Sequence, residues 1–373
     1  CKFSGSIPAS LGNLTQITTL FLTGNAFNGS IAPVIPIPSL VSLYLGNNKF
    51  TGHISEFHSN SLKVIDLSSN QLYGTIPSSI FQLVNLTRLD LSLNYLSGNV
   101  ELGMFSNQKN IQYLDLSHNL LQGTLPVPPP AVSFFSISNN KLTGDVPQLV
   151  CNNASMLQVL DLSDSSLSGA IPHCLGNFSK QLSVLDLRNN RFSGTIPNTF
   201  AGDNSLTTIN FNGNGLEGPV PISLANCRYL EVLDLGNNKI SGKFPHWLEN
   251  LPWLHVLILG SNGLHGPITT SKTKFSFPNL RVIDISYNNF SGPLPVEYFR
   301  RMTSMMNVDE ANYQLQYMAL GNGYGYGYYQ MTITMKGSTI KMKKVLSIFT
   351  AIDFSKNQFE GEIPKLIGNL NSI

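Results

Sequence analysis

The residue types that do chemistry are present in this chain, but their spacing is wrong for most of it. Seven histidines are dispersed, and none sits in HExxH or at metal-ligand spacing from a cysteine. The four cysteines, Cys1, Cys151, Cys174 and Cys227, contain no CxxC pair that would grip zinc. There is no GxSxG to carry a nucleophilic serine. The glycines of GNGYGYG (321–327) do not make a phosphate-cradling loop, because Tyr326 stands where GxGxxG needs its last glycine and no GK[ST] follows. One acidic residue does recur regularly, as Asp66, Asp90, Asp115, Asp161, Asp186, Asp234, Asp284 and Asp353. Paired acid–base work needs two carboxylates in distinct environments, and a ladder of equivalent aspartates repeats a single one. The sequence therefore speaks against an enzyme, a metal centre or a cofactor, and for recognition.

The aspartates are regular because the chain is. LFLTGNAFNGSI (20–31), IDLSSNQLYGTIP (65–77), LDLRNNRFSGTIP (185–197) and IDISYNNFSGPLP (283–295) share the pattern LxLxxNxxxGxIP. Its asparagine falls at 25, 48, 70, 94, 119, 140, 190, 214, 238, 262, 288 and 357, with Ser165 in the same slot once and Cys1 opening a partial unit. Alternating leucines predict short strands whose inner side builds a core between turns. The asparagine amide can both donate to and accept from backbone groups where the chain leaves the strand. Serine can do only part of that, so the turn at 165 is expected to be looser. The glycine four residues on permits a tight turn, and Ile-Pro carries the chain to the flank. The fold predicted is an α/β repeat: a right-handed superhelical leucine-rich-repeat solenoid, one elongated domain with a parallel sheet on its concave face. At about 4.8 Å per strand, thirteen or so steps would give an arc of roughly 60 Å, a surface for a macromolecule or an extended ligand.

Bulk composition agrees. Hydrophobic residues make up 42% and charged residues 12%, enough apolar material for a large core. A net charge of +2 leaves no footprint for nucleic acid. The opening CKFSGSIP and closing GNLNSI each fall inside a repeat, so the sequence reads as a piece of a longer protein.

Sequons at Asn13, Asn28, Asn85, Asn153, Asn177 and Asn289 fit a secreted, glycosylated chain, although an asparagine-rich repeat generates some by accident. Asn13 and Asn177 are the best placed. Cys151 and Cys174 lie about one period apart, on adjacent turns, and are expected to form a disulfide; two free thiols are the alternative. Cys227 takes a slot held elsewhere by leucine and is expected to be a buried, unreactive small hydrophobe.

On each strand the residue between the two core leucines, and the two after the second, should face the concave side. The aspartates fill the first of these slots. They form either an acidic stripe for a basic ligand or cation, or simply the common form of the repeat, with Asp bonding neighbouring rungs. Departures carry more information: Phe21, Tyr44, Ser136, Asn210 and Ile258 in the Asp slot, and His118, Arg188, Tyr287 and Lys356 in the following slots. Aromatic residues and arginine are the types that carry energy at interfaces.

One interval breaks the period. From Asn288 to Asn357 is one period plus 45 residues. In EYFRRMTSMMN (297–307), Phe299, Met302 and Met306 have helical spacing. Tyr329, Met331, Ile333 and Met335 alternate with polar residues, Lys336-Gly337-Ser338 can turn, and Thr339–Lys343 alternates again. That pattern predicts a β-hairpin with its apolar face on the solenoid. Tyr324, Tyr326, Tyr328 and Tyr329, with Lys336, become candidate ligand contacts, since tyrosine on a glycine-rich backbone suits adaptable surfaces.

The 24-residue period with GxIP resembles the extracellular repeats of plant receptor kinases, receptor-like proteins and polygalacturonase-inhibiting proteins. YYQMTITMKGSTIKMKKVLSIFTAIDFSKNQFEGEIP (328–364) is similar to the end of the island domain of plant receptor-like proteins. CLGNFSKQLSVLDLRNNRFSGTIP (174–197) and 224–262 resemble the same family. The resemblance implies repeats over 1–296, an island over 297–346 and a further repeat over 347–373. It also implies a ligand-binding ectodomain at the plasma membrane, facing the apoplast and carried in the intact protein by a single membrane span. The expected ligand is a microbial or damage-derived protein or peptide, and the expected partners are an adaptor receptor kinase and a short-ectodomain co-receptor kinase serving innate immunity. An island-bearing receptor kinase for a small hormone is the alternative. An inhibitor of a cell-wall hydrolase fits less well, because those arrays are short and lack an island. GNGYGYG is outside the family's recurring motif, and nothing transfers to it.

Overall fold

A computed structural model describes residues 2–153, 155–177, 180–269, 276–306, 317–318, 329, 331–335, 338–342 and 344–370. The chain divides into two compact units, Cys1–Pro172 and His173–Ile373. In each, the leucine alternation produces three-residue strands that pair in parallel without a register shift. In the N-terminal unit Ser42–Tyr44 pairs with Val64–Asp66, and Arg88–Asp90 with Tyr113–Asp115. In the C-terminal unit Thr208–Asn210, Val232–Asp234, Val256–Ile258, Val282–Asp284 and Ala351–Asp353 follow one another. The core leucines, such as Leu233 and Leu235, are fully buried between turns. Both units are thus parallel-strand repeats of the solenoid type that the sequence predicts.

The asparagine ladder explains the constant register. Asn70 donates from Nδ2 to the carbonyls of Leu67 and Ser68 in its own turn and of Leu45 in the turn before, each at 3.1 Å. Its Oδ1 accepts the Phe50 amide at 3.0 Å. Four backbone groups with no water to turn to are satisfied by one side chain. Ser165 cannot reproduce this, and its buried Oγ has no hydrogen-bond partner.

A second parallel sheet, absent from the sequence reading, forms just after the ladder. In the N-terminal unit Lys49–Gly52, Gln71–Thr75 and Tyr95–Val100 pair in order, and in the C-terminal unit Arg191–Thr195 pairs with Gly215–Gly218. The glycine of GxIP closes these strands in the left-handed region. Gly123 has φ +102°, and a Cβ there would lie 2.5 Å from the Val100 carbonyl oxygen. Proline then opens a short 3-10 turn, as Pro77 does for Ser78–Gln82 and Pro221 for Ile222–Asn226.

The residue before each ladder asparagine is also left-handed, with φ between 51° and 57° at Asn47, Leu93, His118, Tyr287, Ser261 and Lys356 among others. His118, Tyr287 and Lys356 are therefore turn residues whose backbone swings the side chain off the strand.

The interval after Asn288 carries its own elements. Helices Val296–Arg301 and Thr303–Met306 break at Met302, so Met305 takes the buried place that unbroken helical spacing assigns to Met306. Met331–Met335 and Ser338–Met342 form an antiparallel hairpin, with Met331 opposite Met342 and Ile333 opposite Ile340.

Candidate binding site around the hairpin

The site grows from the first position of each strand, a slot the sequence reading did not count as facing the ligand side. Three valines repeat there, Val232, Val256 and Val282, and Ala351 follows. All four are buried, and the hairpin supplies part of their cover. Tyr329 and Met331 are 1% and 3% exposed and pack with Ile258, Val345 and this valine strip, and Met318, Met342 and Phe349 border the contact. Short backbone bonds lock the approach: Met318 N–H donates to the Val345 carbonyl at 2.8 Å, and Tyr329 N–H to the Met318 carbonyl at 2.9 Å.

Burying a tyrosine gains on the order of 2–3 kcal/mol from its ring, provided the hydroxyl keeps a partner. Tyr329 has one, donating to Asp234 Oδ2 at 3.3 Å. Burial, and then the Asp234 charge, hold the Tyr329 hydroxyl well above the usual phenol range, so it stays a donor. Asp234 is itself pushed up to about 6, by burial first and by the Asp284 charge in smaller part. Asn212 Nδ2 (2.8 Å) and the Gly236 amide (3.1 Å) pull the other way by donating to its Oδ1. Asn237 donates to Asn212 Oδ1 at 3.1 Å, which extends the network toward the open surface.

The aspartate slot is thereby explained. Asp66, Asp90, Asp161 and Asp284 each accept, at Oδ1, the hydroxyl of the serine two residues on at 2.7 Å, together with its amide. The recurring DxS is mainly a local turn within its own rung rather than a bond between rungs. Links from rung to rung at these aspartates exist, as at Ser136 Oγ to Asp161 (3.1 Å), but they are the minority.

The predicted contact residues separate. Tyr329, Asn210 and Ile258 are buried, at 1%, 2% and 4% exposure, so here they hold the scaffold and the hairpin instead of presenting a surface. Arg188 lies between, with Nη1 at 3.1 Å from Asp186 Oδ2. Tyr287 and Lys356 are exposed on the same unit. Tyr44 and His118 belong to the N-terminal unit, where the Tyr44 ring lies tilted against Phe21 with centroids 5.1 Å apart. Tyr324, Tyr326, Tyr328 and Lys336 lie outside the described residues. The N-terminal unit also carries a row that sequence reasoning missed. Arg88 sits 3.6 Å over the Tyr113 ring, and Tyr113 stacks on Phe134 at 4.5 Å. Both Arg88 and Tyr113 fill that uncounted first slot.

Cys151 and Cys174 are each disulfide-bonded. Cys227 is free and buried, accepts from Asn204 Nδ2 at 3.4 Å, and has its thiol pushed up to about 12 by burial. The side chains of Asn13, Asn28, Asn85, Asn177 and Asn289 are exposed, though Asn85 donates to the Asn60 carbonyl at 2.9 Å; the Asn153 side chain lies outside the described residues. Among the described residues no His, Cys, Asp and Glu group is arranged to hold a metal, and no helix is long and apolar enough to cross a membrane.

Comparison with known proteins agrees with this architecture. Leucine-rich-repeat family profiles match residues 60–121 and six further stretches between 39 and 299. Receptor-like protein 7 of Arabidopsis thaliana is 47% identical over 84% of this chain. The chain spans between 28% and 32% of the length of that relative and two others, Receptor-like proteins 35 and 53. Among solved structures, the plant peptide hormone receptor RGFR1 in complex with RGF2 superposes with a TM-score of 0.75 at 27% identity, covering 100% of this chain and 56% of that one. The Arabidopsis receptor kinase HAESA in complex with the peptide hormone IDA and the co-receptor SERK1 gives 0.69 at 27% identity, covering 98% and 58%. The fold and its repeats define a leucine-rich-repeat protein, similar to the repeat arrays of plant receptors. More narrowly, the chain belongs to the plant leucine-rich-repeat receptor-like proteins.

Proposed function

We propose that this chain is the ligand-recognising part of a plant cell-surface receptor-like protein, and that its ligand is a peptide or protein of microbial or damaged-tissue origin. The observation that carries the reading is the seating of the hairpin. Tyr329 and Met331 fix an inserted element onto four successive rungs. Such an anchored insertion adds a rigid wall beside an open strand surface that bears Arg188, Tyr287 and Lys356. A preorganised wall lowers the ordering cost of holding an extended ligand. Peptide ligands in the RGFR1 and HAESA complexes support the class of ligand. The co-receptor in the HAESA complex supports a co-receptor partner. A co-receptor kinase and an adaptor receptor kinase that relays the signal in immunity complete the proposal. On this reading Tyr324, Tyr326, Tyr328 and Lys336 flank the ligand, and the intact protein sits in the plasma membrane with this part in the apoplast.

The test uses immobilised chain exposed to secreted proteins from microbial cultures, with retained species then assayed for recruiting a co-receptor ectodomain. Replacing Tyr324, Tyr326 and Tyr328 together by Ala should abolish retention and leave thermal unfolding unchanged. Point replacement is preferable to deleting 318–330, because Met318 and Tyr329 belong to the packed contact. Equal retention by wild type and triple variant would remove the hairpin region from the site.

A further inference from the structure

A second feature lies at the edge of the C-terminal unit's strands, just ahead of the residues on which the hairpin lands. Ser205, Thr207, Tyr229, Glu231 and Trp253 line a cleft of about 380 Å³. Tyr229 and Trp253 occupy the same position of successive turns and are 57% and 52% exposed, a large apolar outlay. Between them, Glu231 directly precedes the strand Val232–Asp234.

The polar groups of the cleft are mostly spent. The Thr207 carbonyl accepts the amides of Glu231 and Val232 at 2.8 and 3.0 Å, and the Glu231 carbonyl accepts those of His255 and Val256 at the same distances. Thr207 Oγ1 donates to the Ser183 carbonyl at 3.1 Å. The Glu231 carboxylate is the charge left over: no described ion pair or hydrogen bond engages it, and burial raises its pKa with nothing opposing. Neighbouring bases do not serve it. His255, one rung on, is pushed down by burial and by Arg281, so it is neutral at pH 7. Arg281 turns toward the inserted helices and donates to the Ser304 carbonyl at 3.2 Å.

A partly desolvated carboxylate without a counter-ion, set between two exposed aromatic rings, is complementary to one chemistry. A cation on an apolar stem gains from the ring faces, from the charge and from covering the stem. We infer that Tyr229, Glu231 and Trp253 form a subsite for the cationic side chain, arginine or lysine, of a bound polypeptide. The subsite does not depend on the hairpin and extends the recognition surface beyond it.

The chain has only two tryptophans, and the Trp247 indole nitrogen is buried, so an indole 15N label gives one reporter in the cleft and one internal control. Titration of the full chain with N-acetyl-arginine methylamide should move the Trp253 indole resonance saturably and leave Trp247 in place. N-acetyl-citrulline methylamide, of the same shape without the charge, should bind at least tenfold more weakly. Glu231→Gln should weaken the arginine probe at least tenfold, with Trp247 unshifted as evidence of an intact fold. Tyr229→Leu, which keeps the reporter, should also weaken it. Equal response to arginine and citrulline, or an undiminished response in Glu231→Gln, would overturn the inference. The triple tyrosine variant above should bind the arginine probe normally, which separates this result from the fate of the hairpin site.

Discussion

At the residue scale the ladder shows what one side chain can do. Asn70 serves four backbone groups, and Ser165 leaves its own hydroxyl unpartnered in the same slot. Restoring the amide with Ser165→Asn should stabilise the N-terminal unit by about 1–2 kcal/mol, the net worth of one or two buried hydrogen bonds. A thermal or denaturant melt checks this, and a fall in stability would mean that the turn has closed around serine. A second residue gives a pH signature. Asp115 is pushed up to about 7 by burial first and then by the Asp90 charge. The unfolded chain releases that proton near the ordinary value of about 3.9, so between there and 7 the native state holds more protons. The favourable contribution is therefore complete below about 4 and is lost as pH rises toward 7, by at most a few kcal/mol. Asp115→Asn should melt with a smaller loss of stability between pH 5 and 7.5 than wild type. Parallel curves would show that Asp115 is not the group responsible.

At the scale of elements, the hairpin is held by a short list of contacts and should respond to them singly. Tyr329→Phe removes the donor to buried Asp234 at a cost of about 1–3 kcal/mol, and Tyr329→Ala removes the ring as well. Hydrogen exchange should then rise in Met331–Met335 and Ser338–Met342 while the strand Val232–Asp234 stays protected. Uniform loss of protection would mean that the hairpin is part of the global fold. The sequence made this element legible because Met331, Ile333 and Met335 alternate with threonines. It did not reveal the landing surface. Val232, Val256 and Val282 recur two residues ahead of the first counted slot, and a valine there looks like any other strand residue until something covers it. The second sheet was hidden for a different reason. Gln71–Thr75 has no hydrophobic alternation of its own, and it becomes a strand only because the asparagine ladder delivers its backbone beside the neighbouring turn's.

At the scale of the whole molecule, the oxidised cysteines fix a chemical expectation. Alkylation of denatured, unreduced protein should tag Cys227 and leave Cys151 and Cys174 unmodified until a reductant is added. Free thiols at both positions by peptide mapping would contradict this. The repeat period, the strands and the ladder were all readable from letters, because each depends on a residue type at a fixed offset. Burial of Ile258 was not, since it packs with Tyr329, more than seventy positions away in the chain.

The ladder also sets how the protein should behave under load. Asparagines such as Asn48, Asn70 and Asn94 hold a carbonyl and an amide of the turn before, so these connections run from turn to turn. Pulled by its ends, a unit should not snap open at once. It should pay out turn by turn, each 24-residue step lengthening the chain by roughly 80 Å when fully drawn. For a repeat array held at both ends, that is a graded compliance: a few outer turns can yield while the inner ones keep their packing.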